Sequence, residues 1–247
     1  MSEKSSINQH ELNKFNKTEQ EWWDLAGEFK LLHKINPVRI EYISSVIGKQ
    51  FPLAEANSPF SDLKILDVGS GGGLICAPLC KLGAKVTGLD ANAHNTKASS
   101  EHAKRNNLDI EYIHKTAEEH VKSSPKYDVV LCLEVVEHVA NPKEFVLNLS
   151  KMVADGGVLI LSTINRTVKS YANAIIMAEY VLGWVPKQTH DHSKFVKPSE
   201  FASMLEGSCL RLSELKGLSL SMLSQEWHLS DDIDVNYFAS FVDDKKL

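Results

Sequence analysis

At 247 residues, 43% hydrophobic and 24% charged, the chain is long enough to bury a full core as one α/β fold with insertions. Its net charge of -5 supplies no broad basic field, which argues against nucleic acid as a partner. Four cysteines without C-x-x-C spacing (Cys76, Cys80, Cys132, Cys209) exclude a disulfide scaffold and point to a reducing, cytoplasmic setting.

Residues 1–60 read as a polar tail followed by an N-terminal helical cap. The tail lacks the apolar stretch of a secretory signal, and no run of about eighteen apolar residues exists to span a bilayer. Trp22 and Trp23 precede Gly27, and Asn36-Pro37 is expected to start a helix through Tyr42 and Val46. FPLAEANSPF is a loop. From Leu63, short β-branched runs alternate with helix-length segments: LKILDV, AKVTGLD, IEYIH, YDVVLCLE and GVLILSTIN. That grammar indicates βαβ units and a mainly parallel sheet, and the nearly continuous apolar runs require cover on both faces. Residues 61–165 are thus the expected cofactor-binding core. An insertion follows over 166–198, then 199–247, with a helix near Pro198–Leu205 and strands near Leu210–Leu220 and Val235–Val242. The expected fold is a Rossmann-like, doubly wound α/β sheet of seven strands, one unit over 1–247.

LDVGSGGG follows the first strand and opens a helix. Glycines there permit positive φ and close approach of a ligand, and exposed N–H groups at the helix start suit an anion. A dinucleotide needs G-x-G-x-x-G/A, but the third place here is Leu74, and the glycines run Gly69, Gly71, Gly73. Asp67 would repel a pyrophosphate and welcome an ammonium group. S-adenosylmethionine has the ammonium and no phosphate, so the methyl-donor reading wins. Asp90 ends the second strand about twenty residues on, where a carboxylate accepts from both ribose hydroxyls. Lys115 to Glu119, after the third strand, fall where an adenine ring would lie.

After the fourth strand stands Leu133-Glu134-Val135-Val136-Glu137-His138. If Glu134 begins a helical turn, Glu137 and His138 share its face. The trio can bind a divalent metal, or Glu137 and His138 can simply cap the turn. Methyl transfer to a phenol of pKa about 10 needs a metal or a base, and His138 can be that base without a metal. In the insertion, the apolar residues 171–185 are flanked by Arg166, Lys169 and Lys187, as in an element lying on an anionic membrane surface; a lid packed in water fits equally. In THDHSKF, His190 is a reserve base.

These residues resemble the ubiquinone-biosynthesis O-methyltransferases, from about Phe15 to Tyr237. The match is carried by WWDLAGEFKLLHKINPVRIEYI, LDVGSGGG, VTGLD, YDVVLCLEVVEHV, STINRTVKSY, AEYVLGWVPKQTHDHSKFVKP and DVNY. The resemblance implies methylation of ring hydroxyls on polyprenylated catechol or quinol intermediates, at both O-methylation steps, by a protein at the cytoplasmic face of the inner membrane. It implies S-adenosylmethionine contacts at Arg39, Gly69, Asp90 and Leu133, joining Asp67 and Gly71. It also implies magnesium or another divalent metal on Glu134, Glu137 and His138, and membrane association through Arg166 to Lys187. Other proteins of the same pathway are expected partners. Ser70 departs from the family's frequent cysteine, and that side chain is expected to be dispensable because the loop works through backbone N–H groups.

Overall fold

Strand β1 (Lys64–Val68) shows why the centre of this chain must be covered twice. Ile65 packs into one apolar cluster and Leu66 into another, and neither is exposed. Successive strand side chains point to opposite faces, so this burial calls for helices on both sides. The computed structural model describes residues 16–54, 57–171, 191–221 and 223–243. Its sheet comprises β1, β2 (Lys85–Asp90), β3 (Ile110–His114), β4 (Tyr127–Leu133), β5 (Val153–Ile164), β6 (Leu210–Leu220), β7 (Trp227–Ser230) and β8 (Asn236–Asp243). The order is β3-β2-β1-β4-β5-β8-β6-β7. Strands β1 to β5 pair in parallel, whereas β8 runs antiparallel to both β5 and β6, and β7 antiparallel to β6. The expected doubly wound α/β sheet is therefore present, but with eight strands. The extra strand, β7, is a four-residue hairpin return on β6, too short for an alternating pattern to announce it.

The strand order reverses between β1 and β4, so the carboxyl ends of β1, β2 and β4 frame the crevice in which such sheets bind ligands. Two N-terminal helices close on that end. Helix α1 (Glu19–Trp23) begins with a capping box between Thr18 and Glu21. Helix α2 (Lys30–Gln50) starts seven residues before the expected Pro37 and runs through it. The proline removes one backbone donor, and the apolar face offsets that loss. Ile35, Val38, Tyr42, Ile43, Val46 and Ile47 recur at helical spacing and are all buried. Tyr42 stacks on Phe238 of β8 with ring centroids 4.6 Å apart. Helices α3 (Cys76–Lys81), α4 (Ala93–Arg105), α5 (Ala117–His120), α6 (Pro142–Met152) and α7 (Pro198–Met204) complete the cover.

Helix α1 is fastened to the glycine loop and to α4. Trp22 donates to Asn95 at 3.2 Å and lies against Gly72, while Trp23 donates to the Gly72 carbonyl at 3.0 Å. Trp23 also stacks on His102 at 3.5 Å, and the buried Glu19 carboxylate accepts from Arg105 at 2.8 Å.

Candidate active site

The glycine loop leaves β1 at Val68 and turns back towards β2. Gly69 adopts φ +78°, and a Cβ there would stand 2.4 Å from Val135 Cγ2. The loop thus touches the turn that follows β4, and only glycine fits both the conformation and the gap. Its N–H groups do not face outward as expected. Gly69 and Ser70 donate to the Leu89 carbonyl at 2.8 and 3.2 Å, Gly71 to Asp90 Oδ2 at 2.8 Å, and Gly73 to the Ser70 carbonyl at 2.9 Å. Ser70 Oγ is buried without a hydrogen-bond partner. The loop is held by β2, and an incoming phosphate would have to compete for donors already used.

Asp90 is the counterpart of that arrangement. Besides Gly71, its carboxylate accepts from the Asn92 backbone N–H at 2.8 Å and from Asn95 Nδ2 at 3.4 Å. Burial pushes its pKa up, while the two backbone donors pull it back. Asp67, one strand over, is 3% exposed. Its pKa is raised to about 6, first by burial and then by the neighbouring Asp90, while a bond from Cys76 and the charge of Arg39 oppose the rise. Lys115 N donates to the Asp90 carbonyl at 3.2 Å, and Thr116 caps α5, so the 115–119 segment does adjoin the second acid.

Arg39 comes from the buried face of α2. Its Nη2 stands 3.8 Å from Glu134 Oε1, with Asp67 and Glu137 as further acidic neighbours, and its Nε is buried without a hydrogen-bond partner. An unused buried guanidinium donor is costly, and a ligand carboxylate would satisfy it in bidentate fashion.

Glu134 does not begin a helical turn. Its φ is +56°, and the 3-10 turn spans Val136–His138. The left-handed residue lets Glu134 N reach the Ser162 carbonyl at 3.0 Å, while Ser162 and Thr163 donate to Glu134 and Glu137, each at 2.9 Å. Burial pushes the Glu137 carboxyl up first and repulsion from Glu134 second, while the bond from Thr163 opposes the rise. His138 stays half-buried at the end of the turn. Among the described residues no group of three or more His, Cys, Asp or Glu side chains is placed to hold a metal ion. Glu134 and Glu137 converge there, but the third expected ligand, His138, is not gathered with them. His190 and residues 172–190 lie outside the described residues. At the near edge of the insertion, Val168 and Tyr171 are 88% and 47% exposed. The basic flank is neutralised there: Arg166 pairs with Glu200, and Lys169 with Asp232 and Asp234.

Arg39, Asp67, Gly69, Gly71, Asp90, Leu133, Glu134 and Glu137 therefore meet at the carboxyl ends of β1, β2 and β4. Buried acids, one underused guanidinium and a loop in which Gly69, Ser70, Gly71 and Gly73 already donate within the protein fit a ligand bearing an ammonium, a carboxylate and a ribose better than a pyrophosphate. Sequence reasoning missed Cys76, Tyr112 and Asn95. Asn95 has the signal of Asn92-x-x-Asn95 at the start of a helix; the other two have none.

A protein-family model for a methyltransferase domain matches residues 39–212. The ubiquinone biosynthesis O-methyltransferase of Rickettsia akari (strain Hartford) is 53% identical over 95% of this chain and 91% of its own. That of Rickettsia prowazekii (strain Madrid E) is 50% identical over 95% and 90%. Among solved structures, the plantazolicin methyltransferase BpumL in complex with a triazolic desmethylPZN analog and SAH has a TM-score of 0.64 at 16% identity, covering 95% of this chain and 97% of that one. Magnesium protoporphyrin IX methyltransferase (ChlM) from Synechocystis PCC 6803 with bound SAM has a TM-score of 0.60 at 18% identity, over 94% of each chain. These two share the fold.

Asp67 generates a stability test. Its folded pKa lies above the ordinary 3.8, so the stability it contributes is intact below that value and lost as pH rises through about 6. Asp67→Asn removes the ionisation. At pH about 8 the ligand-free variant should exceed the parent by on the order of 3 kcal/mol, with the gain vanishing near pH 4. Urea unfolding at both pH values checks it.

Proposed function

Because this chain belongs to the ubiquinone biosynthesis O-methyltransferases, we propose that it methylates ring hydroxyls of polyprenylated catechol and hydroquinone intermediates, at both O-methylation steps. It is a methyltransferase that uses S-adenosylmethionine. The observation that carries the site assignment is the pairing of Asp67 and Asp90, both buried at adjacent strand ends, with a glycine loop whose Gly69, Ser70, Gly71 and Gly73 N–H groups already donate within the protein.

When bound, the cofactor supplies a methyl group on a sulfonium. The chain's residues do the rest. Asp90 holds the ribose hydroxyls, Asp67 the ammonium and Arg39 the carboxylate; Gly69, Gly71 and Leu133 line the approach. The substrate oxygen is brought into line with the methyl group, and orientation supplies much of the acceleration. Without a metal, His138, with His190 in reserve, takes the phenol proton. A divalent ion such as magnesium on Glu134, Glu137 and His138 would lower the phenol's pKa; the crowded Glu134–Glu137 pair supports this part of the reading, since a cation would relieve its repulsion. No helix among the described residues is long and apolar enough to cross a membrane. Exposed Val168 and Tyr171 support attachment by apolar side chains at a membrane surface, with Arg166 and Lys169 already engaged by acids.

Four measurements test this reading. Calorimetry with S-adenosylhomocysteine should give binding that Asp90→Ala weakens at least tenfold, on the scale of a lost charge-assisted bond, with circular dichroism unchanged. Mass spectrometry should find a methyl ether when the protein, S-adenosylmethionine and a polyprenyl catechol are combined. Chelation separates the two routes: a metal-assisted rate falls with chelator and returns with magnesium, whereas a rate indifferent to chelator removes the metal role from Glu134, Glu137 and His138. In liposome flotation, Val168→Asp should reduce the bound fraction several-fold, on the scale of an apolar side chain withdrawn from an interface, whereas anionic lipid should matter little.

A further inference from the structure

Asp67, Gly88 and Tyr112 stand side by side on β1, β2 and β3: Asp67 pairs with Gly88, and Gly88 with Tyr112. The middle position has no side chain. A Cβ on Gly88 would fall 2.5 Å from the Tyr112 ring, and one on Gly73 would fall 2.3 Å from the Tyr112 hydroxyl. The tyrosine thus lies flat across β2, through the space Gly88 leaves, with its hydroxyl beneath the glycine loop. There it neighbours the Cys76 sulfur, and each group perturbs the other. Cys76, the first residue of α3, is fully buried and donates its S–H to Asp67 Oδ2 at 3.2 Å. Among the described residues Cys76 is the donor that reaches Asp67.

We propose that Tyr112 and Cys76 are a positioning pair that anchors one Asp67 oxygen, leaving the other to the cofactor's ammonium group. A thiol is a weak donor. The dipole of the Tyr112 hydroxyl beside the sulfur polarises it towards the carboxylate, since neighbouring polar groups in a poorly screening interior strengthen one another. The pair matters because Asp67 is ringed by groups that pull it in opposite directions. Arg39 of α2 favours its charge, while Asp90 of β2 and the burial shared with Cys132 of β4 and Tyr112 of β3 oppose it. The Cys76 bond works with Arg39 to keep the carboxylate ionised. Neither side chain touches the cofactor; both act through Asp67. This rests on the ammonium role given to Asp67 above.

The test is S-adenosylhomocysteine affinity by calorimetry between pH 5 and 8, on the full chain and on Cys76→Ala, Cys76→Ser, Tyr112→Phe and Asp67→Asn. The parent should lose affinity as pH falls through about 6, where Asp67 protonates. Cys76→Ala should weaken binding roughly threefold to tenfold at neutral pH, the range of one lost hydrogen bond, and move the midpoint upward. Tyr112→Phe should do the same to a smaller extent, and Cys76→Ser, which keeps a donor, should restore both values. A merely structural role would change melting temperature and leave the midpoint where it was. If Asp67→Asn abolishes binding while Cys76→Ala and Tyr112→Phe keep the parent's affinity and midpoint, the pair is overturned and the cofactor reading stands. If Asp67→Asn binds as the parent does, the ammonium role falls. Should Cys76→Ala not fold, Tyr112→Phe against Cys76→Ser carries the decision, and an unmoved midpoint in both overturns the pair.

Discussion

The Arg39 guanidinium, buried on the inner face of α2, meets acids from two strand ends: Asp67 after β1, and Glu134 and Glu137 after β4. A guanidinium cannot shed its proton inside a protein, so this charge is permanent, and one cation cannot balance three carboxylates. Asp67 and Glu137 respond by drifting towards their neutral forms, each driven first by burial. Without Arg39 the acids would face one another across a medium that screens poorly, and the helix carrying it would have no electrostatic reason to sit over the switch point.

That imbalance also selects the guest. S-adenosylmethionine carries an ammonium and a sulfonium against a single carboxylate, so it enters with a surplus of positive charge. The region is short of positive charge, with the single Arg39 guanidinium set against Asp67, Glu134 and Glu137. The loop reinforces the choice from the other side, because Leu89 and Asp90 have taken the N–H groups of Gly69, Ser70 and Gly71. Attraction and refusal come from the same few residues.

Much of this was legible from periodicity and punctuation. The five parallel strands, the glycine loop and Asp90 are local patterns, each complete within about ten residues, and each lies where the pattern placed it. What escaped was non-local. Nothing near Glu134 announces that the Ser162 carbonyl draws its N–H and turns it left-handed. Nothing in IEYIH says that Tyr112 reaches across β2, because the permission is given by Gly88, some two dozen residues earlier. Pro37 misled for another reason: a helix-breaking preference of about 3 kcal/mol is outweighed when six apolar side chains of the same helix are buried. The loop glycines were correctly located but partly misattributed, since the neighbours that require their missing side chains include the protein's own Val135 and Tyr112.

Strand β8 follows every other strand in chain order, yet it lies inside the sheet, between β5 and β6. As the polypeptide leaves the ribosome, β5 and β6 must wait with open edges until β8 arrives to bridge them. Until then the two halves share no backbone bonds, and the aromatic surface that Phe238 and Phe241 will cover stays wet. An unfinished nascent chain therefore cannot masquerade as a finished one. Closure of the sheet requires synthesis through β8.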